Sequence, residues 1–190
     1  MKRDELVDLV DATGLIRIRR IRRSDVARRK DQLILEGLYQ PIVVVVVVDT
    51  GGRIVAHERG KTKAGDGRGE IAHVCGVIAS GESWQEAAVR ETAEEIGVAT
   101  RDLTRVLSGV NAYGRHRTLA VAHSVGEPEV VHSDEVARLV VASLDELQAL
   151  EQGATVFAHE FFIDLKHAVD ALPRRDMAPG PSWHDRHGPD

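Results

Sequence analysis

The spacing of apolar and polar residues changes period several times along this chain, and each change marks an element. Leu6 to Val10 and Leu15 to Ile21 flank the turn sequence Asp11-Ala12-Thr13-Gly14, so the pair reads as a β-hairpin. Ser24 is placed to cap a helix running through Val26 to about Glu36, with Gly37 ending it. Ile42 to Val48 is an unbroken β-branched run, which fits a strand buried on both faces. Asp49-Thr50-Gly51-Gly52 then turns the chain into a second strand, Arg53 to Glu58. A basic, glycine-rich loop from Gly60 to Gly69 leads to a short strand, Ile71 to Val77.

The clearest helix begins at Ser83. Ser83 and Glu86 have the spacing of a capping box, in which each side chain bonds the other residue's backbone amide. Gly97 sits where a left-handed cap ends a helix. Beyond it, Arg105 to Val110, Arg117 to Ser124 and Ala137 to Ala142 read as strands. Leu144 to Glu151 reads as a helix, and Phe157 to Leu172 as a longer amphipathic one stopped by Pro173. Residues 173–190 are rich in proline, charge and histidine, so a flexible tail is expected there. Strands mixed with helices imply an α/β or α+β fold, and residues 1–172 are expected to form one domain, with 1–39 as an N-terminal extension.

Composition narrows the picture only a little. The chain has 190 residues, 43% hydrophobic and 29% charged, an ordinary globular balance. Its formal charge of −5 argues against a protein that coats nucleic acid polymers. Cys75 is the only cysteine, which excludes an intrachain disulfide and a four-cysteine zinc site and fits a reducing cytoplasm. The nine histidines lack a zinc-binding spacing. The charged N-terminus carries no signal segment, and the apolar run Ile42 to Val48 falls far short of the roughly 20 residues that span a bilayer, so no membrane partner is expected. Arginines 17, 19, 20, 22, 23, 28 and 29 make the N-terminal region basic, either as a solvated or interfacial face or as an anion-binding surface.

Candidate chemistry concentrates in Gly76 to Val98, which reads GVIASGESWQEAAVRETAEEIGV. Offsets of three and four residues put Glu91, Glu94 and Glu95 on one helix face, with no lysine interleaved to relieve their repulsion. Such a face is either a solvated acidic surface or a site for a hard cation, since carboxylate oxygens suit Mg²⁺ or Mn²⁺. The spacing also permits Arg90 to pair with Glu82.

These residues resemble the Nudix box: glycine, five residues, glutamate, seven residues, arginine-glutamate, an aliphatic, any residue, glutamate-glutamate, any residue, glycine, aliphatic. Gly76, Glu82, Arg90, Glu91, Glu94, Glu95, Gly97 and Val98 stand at every required offset; Thr92 departs mildly where an aliphatic residue is usual. The resemblance covers about Gln40 to Leu147. It implies an α/β/α sandwich with a mixed β-sheet, here extended by the N-terminal hairpin and helix. It further implies that Glu91, Glu94, Glu95 and the Gly76 carbonyl hold Mg²⁺ (or Mn²⁺), and that a small-molecule diphosphate is hydrolysed. Glu94 is a candidate general base. Some family members use a glutamate on a later loop instead, and Glu135 in His132-Ser133-Asp134-Glu135-Val136 stands where such a residue would lie. Arg59 and Lys63 are candidate phosphate contacts or simply solvated loop cations. Dimerisation is common in that family, and the N-terminal hairpin is a candidate interface.

Two rival readings remain. Gly37-Leu38-Tyr39-Gln40-Pro41 and Val74-Cys75-Gly76 look like the isopentenyl-diphosphate isomerase branch, in which a cysteine at the place of Cys75 moves protons at carbon. The isomerases carry histidines where this chain has Val77 and Gln40, and they degrade the paired residues of the box that are intact here. Cys75 therefore reads as a small packing residue. The other rival is a non-catalytic ligand-binding module, against which the intact carboxylates argue. Specificity is expected in the loops 60–70, 110–117 and 126–135, with Tyr113 among the few aromatics able to stack a base.

Overall fold

The computed structural model describes residues 4–60, 69–131, 134–153 and 155–172. Its centre is the valine run. Strand β3 (Gln40–Val48) lies between neighbours on both edges, and its side chains alternate between two cores, as the period-2 geometry of a strand requires. Val43, Val45 and Val47 enter one apolar cluster and Val44, Val46 and Val48 the other.

Strand β8 (Arg115–Val125) runs parallel to β3, from Gln40 opposite Arg115 to Val48 opposite His123. On the other edge, β6 (Val74–Val77) pairs antiparallel with the first half of β3, and β4 (Ile54–Arg59) with its end. Strands β5 (Ile71–Ala72) and β9 (Val136–Ala142) pair with β4, and β7 (Ala99–Val110) with β8, completing a mixed sheet of seven strands. Helix α3 (Trp84–Ile96) covers one face through Ala87, Ala88 and Ile96. Helices α4 (Leu144–Glu151) and α5 (Phe161–Ala171) cover the other through Leu147, Phe161, Leu165 and Ala168. This is the expected α/β/α sandwich.

The N-terminal hairpin also forms, with β1 (Leu6–Val10) antiparallel to β2 (Ile16–Arg22). Val7 and Leu9 join Val26, Leu33 and Val77 in a third cluster that docks the extension onto the sheet. The single helix expected after Ser24 is instead two, α1 (Arg23–Arg28) and α2 (Lys30–Leu35), interrupted at Arg29 (φ −109°, ψ 15°) with no proline or glycine there to cause the break. Ser24 lies inside α1 and donates its hydroxyl to Asp4 rather than capping. Gly37 does end the pair, at φ +71°.

Two other boundaries shift for one reason, a change of hydrogen-bonding partner. The strand expected over 71–77 splits at His73, because β5 pairs with β4 whereas β6 crosses to β3. The final helix starts at Phe161, not Phe157: the Val156 carbonyl accepts from the Ile71 amide and the Ala158 amide donates to the Ile71 carbonyl, so that backbone serves as an extra rung beside β5. Residues 61–68 and 173–190, with the expectations attached to them, lie outside the described residues. No helix among the described residues is long and apolar enough to cross a membrane.

Candidate active site

Helix α3 is set by its ends. The Glu86 amide donates to the Ser83 hydroxyl (3.2 Å) and the Ser83 amide to the Glu86 carboxylate (2.8 Å), so the capping box is complete. Gly97 takes φ +69° at the other end, a backbone that strains any residue with a Cβ. Arg90 ties the helix to the loop before it. Its guanidinium donates to both oxygens of Glu82 (2.8 and 2.9 Å), to the Val77 carbonyl (2.9 Å) and to Glu91 (2.6 Å). The bonds to Glu82, then those to Glu91, hold its pKa above the usual arginine value against the effect of burial.

Glu91, Glu94 and Glu95 meet different surroundings on the helix. Glu91 is seated on Gly76: a Cβ built there would lie 1.8 Å from the Glu91 carboxyl group. Burial pushes the Glu91 carboxyl up to about 7, against the pull of Arg90 and with the help of Glu95 and Glu94. Glu95 is buried, accepts the Cys75 amide (3.1 Å) and lies 3.9 Å from His57 Nδ1 on β4. Glu94 is half-exposed and 3.6 Å from Arg90. As they stand, no three histidine, cysteine or acidic side chains among the described residues are spaced to hold an ion, and Arg90 lies against Glu91 and Glu94. The donor chemistry nevertheless fits a hard divalent cation: it consists of oxygens alone, and the bare Gly76 leaves room for the Glu91 carboxylate beside its own carbonyl.

Two features were hidden from spacing. Thr92, where an aliphatic residue is usual, is fully buried, and its hydroxyl is satisfied by the Ala88 carbonyl (2.7 Å), so the departure leaves no orphaned polar group. His57 was passed over among the other histidines. The alternation of β4 was the available signal, since Val55 two residues earlier already faces α3.

The remaining candidates divide. Arg59 pairs with Val136 across β4 and β9, and the Gly60 amide donates to the Glu135 carbonyl (2.7 Å). Arg59 and Glu135 therefore adjoin, two residues along β4 from His57. Arg59 also lies 4.0 Å from Glu70, and its Nε is buried without a hydrogen-bond partner among the described residues. Lys63 lies outside the described residues. Cys75 packs its side chain toward the α5 core, on the face of the sheet away from α3.

Known proteins resemble this chain in sequence and in fold. The family model described as the NUDIX domain matches residues 38–165. A protein of Streptomyces coelicolor described as an uncharacterized Nudix hydrolase is 34% identical over 96 residues, which are 50% of this chain and 49% of that protein. The chain thus spans about half the length of this curated relative. Among solved structures, a Deinococcus radiodurans protein, DR0079, superposes with TM-score 0.65 at 17% identity, covering 86% of this chain and 99% of that one. A MutT NUDIX hydrolase of Burkholderia pseudomallei gives 0.51 at 25% identity, covering 67% and 96%. The NUDIX domain of Shewanella oneidensis NrtR, solved with ADP ribose, gives 0.58 at 14% identity, covering 80% and 100%.

Proposed function

The chain belongs to the Nudix family, and from that premise we propose that it is a hydrolase, dependent on Mg²⁺ or Mn²⁺, which cleaves a diphosphate linkage in a nucleoside diphosphate derivative or related small molecule. The observation that carries this reading is the seat of Glu91 on Gly76, with Glu95 and Glu94 on the same helix and Arg90 fastening it. A binding module has no need to hold three carboxylates together against their repulsion. An isomerase would need Cys75 to act on carbon, yet that partly buried side chain packs against the α5 core, and Val77 and Gln40 stand where the isomerases carry histidines.

Glu91, Glu94, Glu95 and the Gly76 carbonyl would hold the ion. A divalent cation there neutralises phosphate charge and acidifies nearby water. Glu94, the most exposed of the three, takes the proton from the attacking water. Glu135 is the second candidate for that role, at the turn beside Arg59. Arg90 ties the helix to Val77 at the end of β6 and to Glu82 beyond it, and Arg59 is a candidate contact for the phosphate oxygens, with Lys63 as a further one. We read residues 1–172 as one domain and the hairpin as a candidate dimer interface.

The test is a phosphate-release screen with purified protein and Mg²⁺ across nucleotides, nucleotide sugars, dinucleotides, ADP-ribose and isopentenyl diphosphate, with product analysis. Cleavage of one class that stops with chelator is the expected result. Isomerised but uncleaved isopentenyl diphosphate, or silence combined with no metal binding, overturns the reading.

A further inference from the structure

Away from the glutamates, the N-terminal helices and the first residues of β3 and β8 line a small cleft open to solvent. Val26, Leu33 and Leu38 form its apolar wall, and Lys30, Gln40 and Arg115 supply its polar groups. The polar groups are poorly matched with one another. Arg115 donates to the Gln40 side-chain oxygen but forms no ion pair among the described residues. Burial lowers its pKa, and Arg23 nearby adds to this while the Cys75 thiol opposes it. Gln40 is 6% exposed, and its Nε2 is buried without a hydrogen-bond partner among the described residues. Lys30, half-buried on α2, likewise forms no ion pair among the described residues. A partly buried cation with no counter-charge is costly to the folded state, and an orphaned amide N–H adds to the cost. An anion bound between them offsets both.

The cleft is held in shape. The Asn111 side-chain oxygen accepts the amides of Tyr113 (3.1 Å) and Arg115 (3.0 Å), which fixes the β7–β8 turn. Gly114, at φ +66°, lets that turn press against α2, since a Cβ there would lie 2.3 Å from Ile34 Cδ1. Arg115 is thus presented from a fixed turn.

We propose that this cleft is a phosphate subsite, in which Arg115 and Lys30 hold the oxyanion, the Gln40 amide donates to it, and the apolar wall takes the carbon skeleton of the ligand. The oxyanion part of the proposal rests on the cations; that it is a phosphate rests on the hydrolase reading. The phosphate belongs either to the substrate itself or to free inorganic phosphate acting as an effector.

The test separates this proposal from the catalytic one by excluding metal. The full chain is melted in chelator with increasing inorganic phosphate at constant ionic strength, and an apparent Kd is read from the rise in Tm. A saturable rise is expected, weakened at least tenfold in Arg115→Gln and several-fold in Lys30→Met, the latter on a short surface helix away from the sheet. No saturable rise in the parent chain, or the same Kd in both folded variants, overturns the proposal. With a hydrolysed substrate in hand, a raised KM at unchanged kcat in Arg115→Gln assigns the site to the substrate. Unchanged KM with loss of the response to added phosphate assigns it to the effector.

Discussion

The contact between Gly76 and Glu91 gives the site its sharpest test. A methyl group at position 76 would overlap the Glu91 carboxyl group, so Gly76→Ala must displace that side chain while leaving the β3–β6 backbone pairing available. The expected outcome is a folded protein whose kcat falls by about a hundredfold, the scale of a misplacement of roughly 1 Å at a reacting centre. Steady-state kinetics beside a circular dichroism spectrum checks it; full activity would mean that Glu91 does not act from this seat. Glu94→Gln is expected to cost about a hundredfold or more in hydrolysis, since it removes the candidate base while keeping the size of the side chain. An active Glu94→Gln protein would sink the assignment of Glu94 to the metal site as well as its role as base. Much of this was legible in the residues themselves, because helix geometry fixes which glutamates share a face. What helix geometry leaves open is how deep each one sits. Glu95 reaches the Cys75 amide, Glu91 meets bare glycine and Glu94 meets solvent, and those differences come from β6, a separate strand.

At the scale of the element, His73 shows why some boundaries escaped the sequence. Nothing in the apolar run from Ile71 to Val77 reveals that β5 and β6 have different partners. The break is held by tertiary contacts: the His73 ring stacks on Phe161 at 4.0 Å, and its Nε2–H donates to the Phe161 carbonyl at 3.1 Å. Strand β7 was longer than expected because its exposed positions carry arginine, aspartate and threonine, which hide a strand from an apolar pattern. Both capping boxes, by contrast, are local chemistry, and α3 and α4 begin where Ser83 and Ser143 put them. The burial of His73 has a measurable consequence. Burial, together with His57, pushes its pKa down from 6.5 to about 4, against the Phe161 bond. The unfolded chain therefore takes up this proton near pH 6.5 and the folded chain only near 4. The stabilising contribution is complete above pH 6.5 and is lost as pH falls from 6.5 to 4, up to about 3 kcal/mol. Urea titrations across that range are expected to show the loss in the parent chain and a shallower one in His73→Phe. Identical slopes would place the His73 proton elsewhere.

For the whole molecule, one polar cluster fastens α5 to the sheet. Arg117 of β8 pairs with Glu160 (3.1 Å) and with Asp164, and Asn111 donates to Glu160 (3.1 Å). Arg117→Met leaves two largely buried carboxylates without their cation, and the expected loss is about 3–5 kcal/mol. The midpoint of urea unfolding measures it, and a loss under 1 kcal/mol would mean that the pairs are solvated rather than buried. A mix of strands and helices was readable from the order of elements, and the sandwich from the resemblance to the Nudix box. The parallel β3–β8 pairing was not, because it joins residues 75 apart with no local signal. That separation matters before the protein is finished. At about 5–20 residues per second, roughly 4–15 s of synthesis separate Gln40 from Arg115. Throughout that interval the valine run is an uncharged β-branched segment with one long edge unpaired, the composition that nucleates intermolecular sheets. A chain stopped at Val110, before β8, is expected to collect in the insoluble fraction on expression; a soluble product would show that β6 and β4 suffice to shield the run. The strand that makes the finished core is thus also the nascent chain's exposed edge until its late partner arrives.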